Sequence, residues 1–411
     1  MASPSPEALA VRQVAIDRER TRRFPSLLAR KQRRMSASPF AFLRGAAPLF
    51  YEIIGQAPEL GEGPDGEGWI VGDLHLENFG AYGPARPASA AVDKRAAEFN
   101  LNDFDDAVRG PWRWDLLRLL TSLILAGREL GVSGPVALEL ATRLLDSYVA
   151  AAFRGAPVPA PLPPVSALVE RMRSRSRQEL LDARTVIEAG RRRFVRGERY
   201  LELPSEIVSE LPAAVETYLA QLSPDERPRP EQLEIVDAAH RIAGTGSLGM
   251  LRVALLVRGK GGNDGQWIFD MKEQSAPSAA GLVIGSSLSP AERVVTAFRA
   301  SVDPPPRLLG TSRIGTCDVF VRRATPQEDK LDLGQLKAET LGSLALYLGA
   351  LVGAAHARAV EQKLPEPWSG RECSELVRRA ARMASLHEAI YLEWCFALRT
   401  SAASGERSPP R

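Results

Sequence analysis

The sequence predicts an α+β protein in which a helix-rich body carries a smaller, strand-rich part. Three observations predict it. Apolar residues recur at helical spacing through PWRWDLLRLLTSLILAGREL after Pro111 and again over about 134–153. At about residue 233 the texture changes, and 233–273 reads as strands around a glycine-rich turn. The chain has 411 residues, 45% hydrophobic and 25% charged, enough to bury a large core without disulfide or metal staples.

The first 35 residues are Arg-rich and predict a helical arm with loose ends. Residues 36–54 keep helical spacing after Pro39, and 58–68 is a Gly-, Glu- and Pro-rich loop. Trp69, Ile70 and Val71 form a short strand that runs into the loop GDLHLENFG. Residues 83–97 look like a surface insertion, and Glu98 to Phe104 alternates as a strand does. Pro-rich breaks at 156–165 and 224–230 bracket a stretch, 166–220, whose charge predicts helices. Beyond the strands of 233–273, helices are expected at 289–301 and 335–358 with a strand, DVFVRR, at 318–323. Residues 401–411 have the composition of a disordered tail.

Composition excludes several classes. Lys plus Arg is 53 and Asp plus Glu is 50, a net charge of +3, which argues against a nucleic-acid partner. Three cysteines without a CxxC pair and four scattered histidines exclude a disulfide framework or a histidine-rich metal cluster. The N-terminus lacks the pattern of a secretory signal. The uncharged run Thr340 to Ala355 is shorter than the ~20 residues of a membrane span, so a buried core helix and a cytoplasmic, membrane-free setting are expected. Seven of the basic residues are lysines; the arginines cluster, notably at 166–200.

Four segments carry chemistry. In GDLHLENFG, Asp73 and Asn78 lie five positions apart on one loop. They offer an acceptor for a hydroxyl proton and an oxygen ligand of the kind magnesium prefers. In NDFDDA, Asp103, Asp105 and Asp106 crowd three carboxylates into four residues, which is costly unless a cation neutralises them; the plainer reading is an exposed acidic turn. GTGSLG at 244–249 supplies Gly244, Gly246, Ser247 and Gly249 between two strand-like flanks. That disfavours a dinucleotide fold and suits a strand–turn–strand loop laid over phosphates. Lys272, in the apolar strand WIFDMKEQ, calls for an anion, and Glu292 in the next helix could hold it.

Together these segments resemble the protein-kinase-like superfamily, especially the aminoglycoside phosphotransferase-like small-molecule kinases. That group's G-D-x-H-x-x-N loop is matched by Gly72 to Asn78, its metal-binding I-D-F/W-D/E-x-A segment by Asn102 to Ala107, and its G-x-P-x-x-D-L by Gly110 to Leu116. The glycine loop and lysine come about 170 residues after the catalytic loop rather than before it, which implies a circular permutation. The segments SPFAFLRGAA, GDLHLENFG, NDFDDAVRGPWRWDLLRL, RIAGTGSLGMLRV, MKEQ and AHARA resemble the bacterial family catalogued as domain of unknown function 2252, over about 35–360.

The resemblance implies a permuted two-lobe kinase-like fold. Behind the arm (1–35), residues 36–232 are the first part of a helical large lobe with the catalytic and metal loops. Residues 233–325 are a β-rich nucleotide-binding small lobe, 326–400 the rest of the large lobe, and 401–411 the tail. It further implies ATP and Mg²⁺ as cofactors. Asp73 is the catalytic residue, with Asn78, Asp103 and Asp105 on the metal. Gly244, Gly246, Ser247 and Gly249 lie over the phosphates, with Lys272 and its partner Glu292 on them. Adenine is expected against a hinge near Phe320 to Arg323, His75 as a brace of the loop, and Asp115 as its structural support. The acceptor is an unidentified hydroxyl-bearing molecule. A nucleotide-binding pseudokinase, an AMP-transferring module and a metal-dependent hydrolase on Asp73, Asp103, Asp105 and His75 remain as alternatives.

Overall fold

The computed structural model describes residues 5–85, 96–360 and 364–403. Helices α1 (Pro6–Arg20), α2 (Leu28–Met35), α3 (Pro39–Gly45), α4 (Ala47–Gln56) and the short α5 (Pro58–Gly61) come first. Cap chemistry sets their starts: the Ser38 hydroxyl accepts from Ala41 N at 3.0 Å, with Pro39 in the first turn. Strands β1 (Glu67–Ile70), β2 (Phe79–Tyr82), β3 (Glu98–Leu101) and β4 (Val108–Pro111) follow, then α6 (Trp112–Glu129) and α7 (Gly134–Arg154). β1 pairs antiparallel with β4, from Glu67↔Pro111 to Ile70↔Val108, so one ribbon brackets both acidic loops.

The next stretch departs from expectation. Helices α8 (Val165–Ser174) and α9 (Arg177–Asp182) form, but 185–201 folds into β5 (Thr185–Glu188), β6 (Arg191–Phe194) and β7 (Tyr200–Leu201). Surface arginines on β6 mask its alternation; Arg192, pointing inward, is buried on Asp182 and Asp264. Helix α10 (Ser205–Gln221) then leads to β8 (Ile235–Arg241), β9 (Arg252–Val257), β10 (Trp267–Glu273), α11 (Pro290–Ser301), β11 (Gly310–Ile314) and β12 (Cys317–Ala324). These strands and β7 make a six-stranded antiparallel sheet in the order β11-β12-β10-β9-β8-β7. Its outer face, Val253, Leu255, Phe269, Met271, Val319 and Val321, packs on Leu211, Ala214 and Tyr218 of α10. The sheet's own partners therefore begin well before residue 233.

The chain closes with β13 (Asp329–Lys330), which joins β2 and β3, and with α12 (Leu341–Arg358) and α13 (Gly370–Ala403). Helix α12 is the apolar run expected in the core. The helical segment Ala338–Arg358 is long and apolar enough to cross a membrane, but 67% of its apolar window is buried inside the protein. It lies close on α7 because a Cβ on Gly349 would meet Leu144 O at 2.2 Å and one on Gly353 would meet Tyr148 O at 2.5 Å. The N-terminal arm is docked: α1 packs on α13 and α2 reaches the glycine loop. Most of the 83–97 insertion and residues 404–411 of the expected tail lie outside the described residues.

Candidate active-site cleft

The loop after β1 is held from below. Asp115, in the first turn of α6, accepts from Val71 N at 2.7 Å and Gly72 N at 2.9 Å. Its Oδ2 also meets His356 Nε2 at 3.3 Å, and Tyr148 closes the chain on His356 Nδ1 at 3.1 Å. Gly72 has φ +80, and a Cβ there would lie 2.1 Å from Asp106 O, so no side chain fits where the two acidic loops touch. His75 is buried against Phe40 and its Nδ1 accepts from Glu77 N at 3.2 Å, a brace within the loop. Burial, aided by Arg44 and Arg118, pushes its pKa well below the ordinary histidine range, so it stays neutral.

Asp73 faces the cleft, with 19% of its side chain still open. Arg118, fully buried on α6, donates from Nε to its Oδ1 at 2.6 Å and from Nη2 to Leu43 O at 2.9 Å. Burial pushes Asp73 up to about 7, and Asp106 and Asp103 add to it while Arg118 opposes it. Asn78 donates its side-chain amide to Asp73 O, so the two loop residues are locked together.

β3 ends at Leu101, so Asp103 and Asp105 sit on a loop rather than sharing a strand face. Both nevertheless reach Lys272. Its Nζ is 3.4 Å from Asp103 and in direct contact with Asp105, whose Oδ1 also accepts from Gln274 at 3.1 Å. Lys330 on β13 stands 3.6 Å from Asp103 on its other side. Burial alone would raise Asp103, but Lys272, Lys330, Arg252 and Arg322 overcome it and hold this carboxyl far below its ordinary value. Asp105 goes the other way, raised by burial and by Asp103. Asp106 leaves the cluster to accept from Ser278 N at 2.7 Å.

Glu292 does not take the place expected for it. It is exposed, and it closes a capping box with Ser289 at the start of α11. Its neighbour Arg293 is the buried one, donating to Asp105 O at 2.8 Å, Ser275 O at 3.0 Å and Ala107 O. This pins the acidic loop beneath Lys272, and Asp105 does the work assigned to Glu292. The difference is one helical position, about 100° around the axis.

The segment Gly244 to Gly249 joins β8 to β9 as a strand–turn–strand loop over the same cleft. Gly244, Gly246 and Ser247 line the cleft beside Asp73, Asn78, Asp103, Asp105 and Lys272. Gly249 serves the packing instead: with φ +100, a Cβ would come within 2.4 Å of Arg20 O. Sequence reasoning missed what holds the loop. Buried Lys31 donates to Thr245 O and Gly246 O, each at 3.0 Å, and stands 3.7 Å from Asp17; Arg34 donates to Gly244 O. Lysine scarcity, the cue that singled out Lys272, also marks Lys31 and Lys330.

The cleft continues inward beneath the sheet, where its empty space is roughly 1040 Å³, open solvent included. Among the described residues, no three His, Cys, Asp or Glu side chains form a ready metal cage. Asn78, Asp103 and Asp105 do offer oxygen donors at one place. That fits a magnesium ion, which takes one or two carboxylates and completes its shell with water and phosphate.

Fold and site together define an α+β protein with an acidic loop, a lysine and a glycine loop around one cleft. The chain belongs to a family of uncharacterized proteins conserved in bacteria, DUF2252, whose model matches residues 23–397. Comparison with curated proteins and with solved structures gives no match.

Proposed function

We propose that this chain is an ATP- and Mg²⁺-dependent phosphotransferase of kinase-like, circularly permuted architecture acting on a hydroxyl acceptor. One observation carries the reading. Asp73 and Asn78, Asp103 and Asp105, Lys272 and the loop from Gly244 come from segments about 170 residues apart and line one cleft. The permutation has its own support. β8, β9, β10, α11, β12 and α12 follow one another in kinase order. The end of α12 then adjoins the strand that enters the catalytic loop, since a Cβ on Gly68 would sit 3.1 Å from Ala359 O. A short link there would restore the unpermuted chain.

Each residue has a role in the transfer. Asp73, steadied by Arg118, orients the acceptor hydroxyl and takes its proton. The hydroxyl oxygen bonds to the γ-phosphorus while the bridging bond breaks, and ADP leaves with the electron pair. Lys272 exchanges Asp105 and Asp103 for the nucleotide's phosphates. Asn78, Asp103 and Asp105 would hold Mg²⁺, which when bound neutralises phosphate charge. The backbone of the glycine loop, fixed by Lys31 and Arg34, covers the phosphates.

Calorimetry with ATP, with and without Mg²⁺, tests the binding half. Asp73→Asn is expected to lower turnover by about 10²- to 10⁴-fold while leaving ATP affinity nearly unchanged. Asp103→Ala should weaken the Mg²⁺–ATP complex itself. Absence of ATP binding under both conditions, or full turnover by Asp73→Asn, would overturn the assignment.

A further inference from the structure

The inner end of the cleft has a chemistry that the adenine of ATP does not explain. β12 turns Phe320 and Arg322 toward it, and sends Arg323 to the other face, where its guanidinium lies 4.1 Å from the centre of the Trp267 ring. Asp270, two residues before Lys272 and on the same face, stands opposite both Ala254 and Arg322. Arg252 donates to Asp270 at 2.9 Å, and Arg241 lies 3.0 Å from it. Arg322 donates to Asn102 at 2.9 Å and is 3.8 Å from Glu328. Phe104, Phe298 and Phe320 line the same recess and offer a base flat apolar surfaces, but a base does not account for the guanidinium and carboxylate groups beside them.

The charges do not cancel. Lys272 and Lys330 are matched by Asp103 and Asp105, and Arg44 by Glu77, but Arg184, Arg241, Arg252 and Arg322 face three carboxylates, Asp270, Glu328 and Asp329. One positive charge is left over in the recess. Arg184 enters it from the end of α9, and its Nη1 is buried with no hydrogen-bond partner among the described residues. An unsatisfied buried donor is costly, and guanidinium forks match phosphate oxygens in geometry and charge.

We propose that this end of the cleft is a phosphate-binding subsite beside Lys272, formed by Arg184, Arg241, Arg252 and Arg322. The inference rests on the reading of the cleft as the reaction site. It adds that a substrate enters with a phosphate group pointing inward. The phosphate belongs to a phosphorylated acceptor; a nucleotide lying with its polyphosphate tail under the sheet would carry its γ-phosphate away from Asp73, and is the outcome the experiment separates.

Pyrophosphate titrated by calorimetry into the full chain, in magnesium-free buffer, tests it. Arg184 has the least to hold in the fold, so Arg184→Ala is the working variant and Arg184→Lys its conservative rescue. Arg191→Ala, an exposed arginine on the neighbouring hairpin, controls for net charge. Arg184→Ala is expected to weaken pyrophosphate about tenfold, Arg184→Lys to regain part of that, and Arg191→Ala to retain the binding. No pyrophosphate binding by the parent chain overturns the subsite, as does an equal loss in Arg184→Ala and Arg191→Ala, or a loss confined to Lys272→Ala. A non-hydrolysable ATP analogue separates the sources. If it excludes pyrophosphate and is itself weakened by Arg184→Ala, the tail of the nucleotide occupies the subsite. If pyrophosphate still binds beside it, the phosphate is carried by the acceptor. Arg184-dependent pyrophosphate binding without any ATP binding would sink the nucleotide reading alone. ATP binding that needs Lys272, with pyrophosphate indifferent to Arg184, would sink the subsite alone.

Discussion

The two faces of the six-stranded sheet are built from the same strands and are chemically opposite. Along β10, Phe269 and Met271 point to the apolar side chains of α10, while Asp270 and Lys272 point to the cleft and are held there in ion pairs. Alternation with a period of two makes this possible: one strand supplies a core and a site without a break in its ladder. The charged face survives burial because almost every group is paired, and the departures from pairing mark where a ligand is wanted.

That contrast can be broken from either side. Phe269→Ala removes apolar surface only and should cost about 4 kcal/mol of stability in denaturant melts, with nucleotide affinity of the folded fraction unchanged. Lys272→Ala strikes the other face. ATP affinity should fall about 100-fold, the worth of a charge-assisted contact to phosphate. Because Asp103 and Asp105 lose their counter-charge, the variant should also gain more thermal stability from Mg²⁺ than the parent does; equal gains would move the metal away from these carboxylates.

The helical body sharpens the comparison, since it buries a polar group without any pairing. His387 on α13 is fully buried among aromatic rings, with no hydrogen-bond partner for either ring nitrogen among the described residues. Burial, with Arg118 nearby, pushes it down to about 3 from the ordinary 6.5. The unfolded chain therefore binds a proton between these values that the folded chain refuses. Stability is full above pH 6.5 and falls as pH drops toward 3. His387→Leu should flatten this acid loss by about 3 kcal/mol, read from melts between pH 7 and 4; an unchanged slope would show that carboxylates alone govern it. The smallest effect is expected of Glu292→Ala, about 1 kcal/mol from the lost helix cap. ATP affinity should not change, and a loss like that of Lys272→Ala would restore Glu292 as its partner.

Several elements were legible in the residues. Helices α6, α7 and α11 begin within two residues of their expected starts because Pro111, Pro135 and Ser289 with Pro290 stand there and apolar spacing continues behind them. The β8–β9 connection was legible as a strand–turn–strand loop because both flanks alternate. The strands of 185–201 were not, since they are short and their exposed arginines look like those of a charged helix. Lys31 and Lys330 carried the same cue of rarity as Lys272 but lie in segments without a motif, so nothing local pointed them at the cleft.

What the residues determined alone are the local constraints. The Asp73 and Asn78 pair must share one loop, Gly244 to Gly249 must turn between two strands, and Lys272 must sit on an apolar strand, because dihedral limits and periodicity act over a few neighbouring positions. Only the tertiary structure decided that Asp105 rather than Glu292 meets Lys272, that Arg118 meets Asp73, and that four arginines from the turn after α9 and from β8, β9 and β12 share one recess. Ion pairing falls off over a few ångströms, and which long side chains come within that reach is set by how distant segments pack, not by their spacing along the chain.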